Sequence, residues 1–310
     1  MTTARVGHLV TPDGERLLVR TWLSQGTPRA VLQICHGMAE HSRRYGELAT
    51  TLADDGWVVV AHDHRGHGGT ARTPQRAGWF AREDGWNVVV DDVHRVRARI
   101  AQDHPGLPVF LLGHSMGSQI ARDAAIRWSD EFDGLALSGP NAAMGWRVRP
   151  SAWVASLVGK ARNPRRPSVL LDKLGTGGFN KAIKERRTDF DWLSTDEAEV
   201  DAYLADPWCG FTCTPSFFQD MITGSVRVND QGLVGLVRPD LPVLVMAGTE
   251  DPVGKGAATA RSVVKQYRKA GLDDVTLELC EGDRHEVFHE IDRAENIAVL
   301  RAWLDEKLTS

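Results

Sequence analysis

Apolar residues in this chain form short unbroken blocks that alternate with amphipathic stretches, after an opening of a different kind. The opening runs RVGHLVT and RLLVRTW are strand-like and flank Pro12-Asp13-Gly14, whose turn chemistry predicts an antiparallel hairpin. AVLQIC follows Gly26 to Pro28, a helical stretch lies near Tyr45 to Asp55, and WVVVA comes next. Blocks that are apolar at every position suit strands covered on both faces, so their alternation with helices predicts a mostly parallel sheet. Over residues 87 to 103, Val89, Val93, Val96 and Ile100 recur at three- and four-residue steps opposite Asp92, Arg95, Arg97 and Arg99. That stripe predicts a half-buried helix, which Pro105-Gly106 ends. LPVFLL is the next strand, IARDAAIRW carries Ile120, Ala124 and Ile126 at near-helical spacing, and GLALSG at 134 to 139 is another short strand.

From residue 140 to about 236 this rhythm stops. The segment holds Trp146, Trp153, Trp192 and Trp208, the basic run RNPRRP at 162 to 167 and GTGG at 175 to 178, and it reads as a mainly helical insertion. The pattern then resumes with LPVLVMAG at 241 to 248, a helix near 256 to 270, the strand VTLELC at 275 to 280 and a last helix from about Ile291 to Leu308. The predicted organisation is one α/β core in two parts, residues 1–139 and 237–310, with a helical cap at 140–236 and helices on both faces of the sheet. Within the insertion, SAWVASLVGKARNPRRP sets Trp153, Val154, Leu157 and Val158 on one face and Arg162, Arg165 and Arg166 at one end. This predicts a cap helix lying over the core, with at most transient contact between its basic end and an anionic membrane surface.

A chain of 310 residues can bury a large core. Its 37 basic and 41 acidic side chains leave a net charge of -4, so no global field draws it to nucleic acid. Residues 1 to 22 lack the apolar run and cleavage site of a secretory leader, and no stretch reaches the roughly 18 apolar residues of a membrane span. A cytoplasmic location is expected, and the oligomeric state leaves no signal. Cys35, Cys209, Cys213 and Cys280 have no CxxC spacing and fit packed, reduced thiols, although Cys209 and Cys213 are near enough in sequence to face each other.

The string GHSMG at 113 to 117 closes an apolar strand and opens a helix, which is the context of a G-x-S-x-G nucleophile elbow. Ser115 is the candidate nucleophile, and Gly113 and Gly117 lack the Cβ atoms that would clash where strand and helix nearly touch. A serine hydroxyl needs a base, and the base needs a carboxylate to hold its tautomer. Such elbows draw these partners, acid then histidine, from loops after later strands. Asp251 follows LVMAG and His285 follows TLELC, each just beyond the carboxyl end of a strand, where open α/β sheets place their ligand sites. Glu250 competes with Asp251, but Asp251 precedes Pro252, which favours a fixed extended turn. His289 competes with His285 but is expected on the last helix instead of a loop tip. The developing negative oxygen needs two backbone donors, and the N–H groups of Met116 and of Met38, in the loop after AVLQIC, are the candidates.

HGMAEHSRRY at 36 to 45, HDHRGHGGT at 62 to 70, GHSMG, GTEDPVG at 248 to 254 and RHEVFHE at 284 to 290 together resemble the motif set of the monoacylglycerol lipase and lysophospholipase branch of the α/β-hydrolase superfamily. The resemblance covers nearly the whole core in order, and in the insertion it is carried by DPWCGFTCTPSFF at 206 to 218. It implies Ser115, Asp251 and His285 as a triad, Met38 and Met116 as the oxyanion hole, and hydrolysis of a monoacyl lipid ester without metal or organic cofactor. The competing functions are a general short-chain carboxylesterase, an aminopeptidase-like amidase, or a non-catalytic small-molecule receptor on the same fold. Gly37, His114, Trp153, Leu157 and Phe217 are the candidate substrate contacts. His62, His64 and His67 could suggest a metal, yet they occupy a Gly-rich loop that the resemblance accounts for. Asp63 and Arg65 are expected to pair or to bond backbone within that loop, and Glu40, His41 and Arg44 read as loop scaffolding.

Overall fold

The computed structural model describes residues 3–140, 165–175 and 177–309. Strands β1 (Arg5–Val10) and β2 (Arg16–Trp22) form the expected hairpin, and β2 pairs antiparallel with β4. Strands β3 (Ala30–Cys35), β4 (Trp57–His62), β5 (Val109–His114), β6 (Gly134–Ser138), β7 (Val243–Gly248) and β8 (Val275–Cys280) are mutually parallel, giving one eight-stranded sheet in the order β1-β2-β4-β3-β5-β6-β7-β8.

The apolar blocks are needed because alternate residues of each central strand serve opposite faces. On one face Val31, Val58, Val60, Val109 and Leu111 pack with the helices α3 (Gly85–Asp103) and α4 (Met116–Trp128). On the other, Leu32, Ile34, Val59, Phe110 and Leu112 meet α1 (Gly46–Asp54); α2 (Gly68–Ala71) is a single turn in the loop after β4. Between β6 and β7 the described residues form the helices α5 (Val169–Gly175), α6 (Glu197–Ala205), α7 (Pro215–Val228) and α8 (Gln231–Val234) with no strand. The helix α9 (Ala258–Lys269) covers the α3 face, and α10 (Arg293–Leu308) covers the α1 face through Ile297, Leu300, Trp303 and Leu304. Cys35, Cys209, Cys213 and Cys280 are all free thiols, and burial pushes their ionisation upward. No helix among the described residues is long and apolar enough to cross a membrane.

Candidate active site

The carboxyl ends of β3, β5, β7 and β8 bring the expected chemistry to one place. Strand β5 ends at His114 and α4 begins at Met116, so Ser115 alone makes the turn, at φ 50° and ψ -113°. A non-glycine residue there carries backbone strain of about 1–3 kcal/mol, offset by the packing around it. The turn is held by Ser115 N–H donating to Ser138 O at 3.0 Å and by the Ser118 hydroxyl donating to Ser115 O at 2.6 Å. Gly117 allows it, because a Cβ there would run into the carbonyls of Cys35 and His36 at the end of β3. The result leaves Ser115 Oγ 2.8 Å from His285 Nε2, while His285 Nδ1 lies 3.0 Å from Asp251 Oδ2. The second Asp251 oxygen accepts Val253 N–H at 2.8 Å.

With Asp251 holding the proton on Nδ1, the lone pair of Nε2 faces the serine hydroxyl. Burial of His285 disfavours its cation, but Asp251, Glu286 and Glu40 outweigh that and raise its pKa above the usual imidazole value. Burial likewise opposes the Asp251 carboxylate, and the hydrogen-bonded His285 overrides it and keeps the carboxyl below its ordinary value. Glu250 is exposed, so the neighbouring acid that reaches the imidazole is Asp251. His289 departs from its expected helix. It lies in a short 3-10 turn, Val287–His289, and its Nε2 is 3.1 Å from Arg44 O, away from Ser115.

His114 is buried beside the imidazole, with ring centroids 5.0 Å apart, and burial together with His285 lowers its pKa to about 4. Gly37 donates its N–H to Glu40 Oε1 at 2.5 Å. Phe217 is fully buried in α7 among Phe80, Phe218 and His67, in the same apolar cluster as Met116. Trp153 and Leu157 lie outside the described residues. Asp63 and Arg65 do not pair with each other. Asp63 binds Arg20 at 3.0 Å and the N–H groups of Ser42 and Gly69, whereas Arg65 reaches Asp92 and Asp13, each at 2.6 Å. Among the described residues, ligand atoms of His41, Asp206 and Cys209 gather within 4.8 Å, but the 2.9 Å contact between His41 Nε2 and Asp206 Oδ2 already occupies two of them. Two buried neighbours of the triad were not among the expected site residues: Trp192, known only as one of the insertion's tryptophans, has its ring centroid 5.4 Å from that of His285, and Glu286, known only as part of RHEVFHE, is bound to Arg44.

A profile of the family described as serine aminopeptidase, S33 (Hydrolase_4) matches residues 26–292. The chain belongs to this α/β-hydrolase family. Within the family it is similar to the human monoglyceride lipase, 31% identical over 97% of this chain and 90% of that one. It is also 29% identical to the monoacylglycerol lipase of Mycolicibacterium smegmatis, over 94% of this chain and 93% of the relative. The crystal structure of a thermostable carboxyl esterase from Bacillus coagulans superimposes with a TM-score of 0.91 at 24% identity, covering 99% of this chain and 100% of the other, which shows the shared fold. The chain is thus a hydrolase of the serine α/β type, on the monoglyceride-lipase-like branch.

Proposed function

We propose that this protein hydrolyses the ester of a monoacyl lipid, a monoacylglycerol or a lysophospholipid, through an acyl-enzyme on Ser115. The observation that carries the reading is the continuous relay from Asp251 through His285 to a strained, partly exposed serine. Ser115 Oγ attacks the acyl carbon while its proton passes to His285 Nε2, and Asp251 stabilises the imidazolium. The oxyanion is received by the N–H groups of Met38 and Met116. Met116 is the first residue of α4, where leading N–H groups have no partner within the helix, and Met38 follows the end of β3. Collapse expels the glycerol oxygen, which takes the proton back from His285. Water, deprotonated by the same ring, then attacks the acyl carbon and frees Ser115 and the fatty acid. None of these steps calls on a metal or organic cofactor.

The full-length likeness to monoglyceride lipases supports the substrate class; residues 140–236 are proposed as the cap over the site, and Gly37, His114, Trp153, Leu157 and Phe217 as substrate contacts. Ser115→Ala is expected to lower hydrolysis of 1-monooleoylglycerol by about 10⁴-fold or more and to abolish labelling by a fluorophosphonate probe. Equal labelling of wild type and variant would sink the enzyme reading. A p-nitrophenyl ester series preferring acetate steeply over octanoate would replace the lipid by a short-chain ester.

A further inference from the structure

Three largely buried charged residues have no task in the steps above: Glu40 and Arg44 in the loop that supplies Met38, and Glu286 in the loop that carries His285. Glu40 is 2% exposed, and its carboxylate accepts Gly37 N–H at 2.5 Å, the Tyr45 hydroxyl at 2.8 Å and Arg44 at 2.9 Å. Arg44 in turn forks onto Glu286, Nη1 to Oε1 at 2.6 Å and Nη2 to Oε2 at 2.7 Å. Glu286 is 4% exposed and directly follows His285. A chain of charge-assisted bonds therefore runs from the N–H of the His36–Gly37 peptide, one unit before the peptide that carries Met38 N–H, through acid, base and acid, to the backbone that carries the imidazole. The surroundings brace the same loop. Ala39 sits at φ 54°, and its carbonyl accepts the Tyr203 hydroxyl and Gly210 N–H, both at 2.9 Å. The Arg44 guanidinium stacks 5.0 Å over the Tyr203 ring, and Glu286 N–H donates to Leu193 O at 2.8 Å.

Burying three charges costs several kcal/mol of desolvation per ion, and apolar residues of similar volume often stabilise as well or better. Geometry is what such a triad offers: bidentate arginine bonds fix distance and orientation together. Misplacing catalytic groups by about 1 Å can cost on the order of 100-fold in rate. We propose that Glu286 is a positioning residue that, through Arg44 and Glu40, holds the Gly37–Met38 peptide of the oxyanion loop at a fixed distance from His285. This rests on the roles given above to Ser115, His285 and Met38.

The test compares wild type, Glu286→Gln and Glu286→Asp on p-nitrophenyl octanoate from pH 5 to 9, with ring NMR of His285 and thermal unfolding alongside. The charges facing His285 are Asp251, Glu286 and Glu40, with the neutral His114 ring beside them. Glu286→Gln removes the bond and the charge, so kcat should fall about 10-fold or more with KM within twofold, and both the acid limb and the imidazole titration should move to lower pH. Glu286→Asp keeps the charge but shortens the reach, so kcat should fall while the acid limb stays near the wild-type pH. Wild-type kcat and pH profile in a folded Glu286→Gln, even one that melts earlier, would overturn the proposal. If that variant does not fold, wild-type kcat in both Glu286→Asp and Arg44→Lys would do the same. A wild type that neither cleaves the ester nor takes a fluorophosphonate would instead refute the proposed function. In that case an imidazole titration unmoved by Glu286→Gln would separately overturn the link.

Discussion

At the scale of single residues, environment separates chemically equal neighbours. Glu250 and Asp251 are adjacent carboxylates, yet one faces solvent and the other is buried against His285. In the proposed mechanism Asp251 fixes the tautomer and stabilises the cation, so Asp251→Asn should lower kcat on a monoacyl ester by about 10⁴-fold with the fold intact. The pH dependence has a definite sign. The proposed base, His285, works neutral and its neighbouring carboxylates hold its pKa above the ordinary imidazole value, so wild-type kcat/KM should fall as pH drops through a point above 6.5. Without the carboxylate that limb should move to lower pH. A loss of less than tenfold in steady-state kinetics would show that Asp251 does not serve as the orienting acid.

At the scale of elements, the helix α7 is tied to the core through a buried acid. Asp123 on α4 accepts Trp86 Nε1 from α3 at 2.6 Å, Arg127 at 3.0 Å and Arg227 from α7 at 2.8 Å. Asp123→Ala leaves the buried indole donor and the partly exposed Arg227 without their acceptor, while Arg127 keeps Asn87 and Asp91, so it should cost about 1–3 kcal/mol in urea unfolding and open residues 215–228 to protease. A loss under about 1 kcal/mol would mean that apolar packing alone docks α7. The core elements were legible because a strand buried on both faces must be apolar throughout and a half-buried helix must show a stripe. The elbow was legible because its glycines and serine are neighbours in sequence. Contacts between distant residues write no local pattern. His289 was expected on the last helix, but the Glu290 carboxylate is drawn onto Thr195 N–H at 2.8 Å and Arg284 N–H at 2.7 Å, and α10 starts only at Arg293. The Arg44–Glu286 bond joins residues 242 positions apart, and the motifs that hold its two ends carry no mark of their pairing.

At the scale of the whole molecule, the buried histidines govern the response to acid. The rings of His36 and His64 pack 4.3 Å apart and those of His62 and His64 4.6 Å apart, and no described protein group pairs the ring nitrogens of His62 or His64. Burial is the main cause that lowers His36, His62 and His114 to about 4, His67 to about 3, and His64 well below its ordinary value. Asp63 and Glu40, the carboxylates facing this group, oppose the shift without reversing it. A depressed folded pKa leaves stability complete above pH 6.5, the unfolded histidine value, and removes it as pH falls towards 4. Burial also raises Asp220 and Asp283 to about 7, which acts the other way by keeping two protons on the folded chain. The five histidines outnumber them, leaving a slope of roughly 4 kcal/mol per pH unit near pH 5. Against a typical stability of about 5–15 kcal/mol, a loss that begins near pH 6.5 should unfold the fold cooperatively with a midpoint between about pH 3 and 5. Far-ultraviolet circular dichroism across that range checks it, and His62→Leu should shift the midpoint to lower pH by removing one proton site of the unfolded chain. A wild-type midpoint below pH 3, or one unmoved in His62→Leu and His64→Leu alike, would mean that these rings can charge inside the folded core.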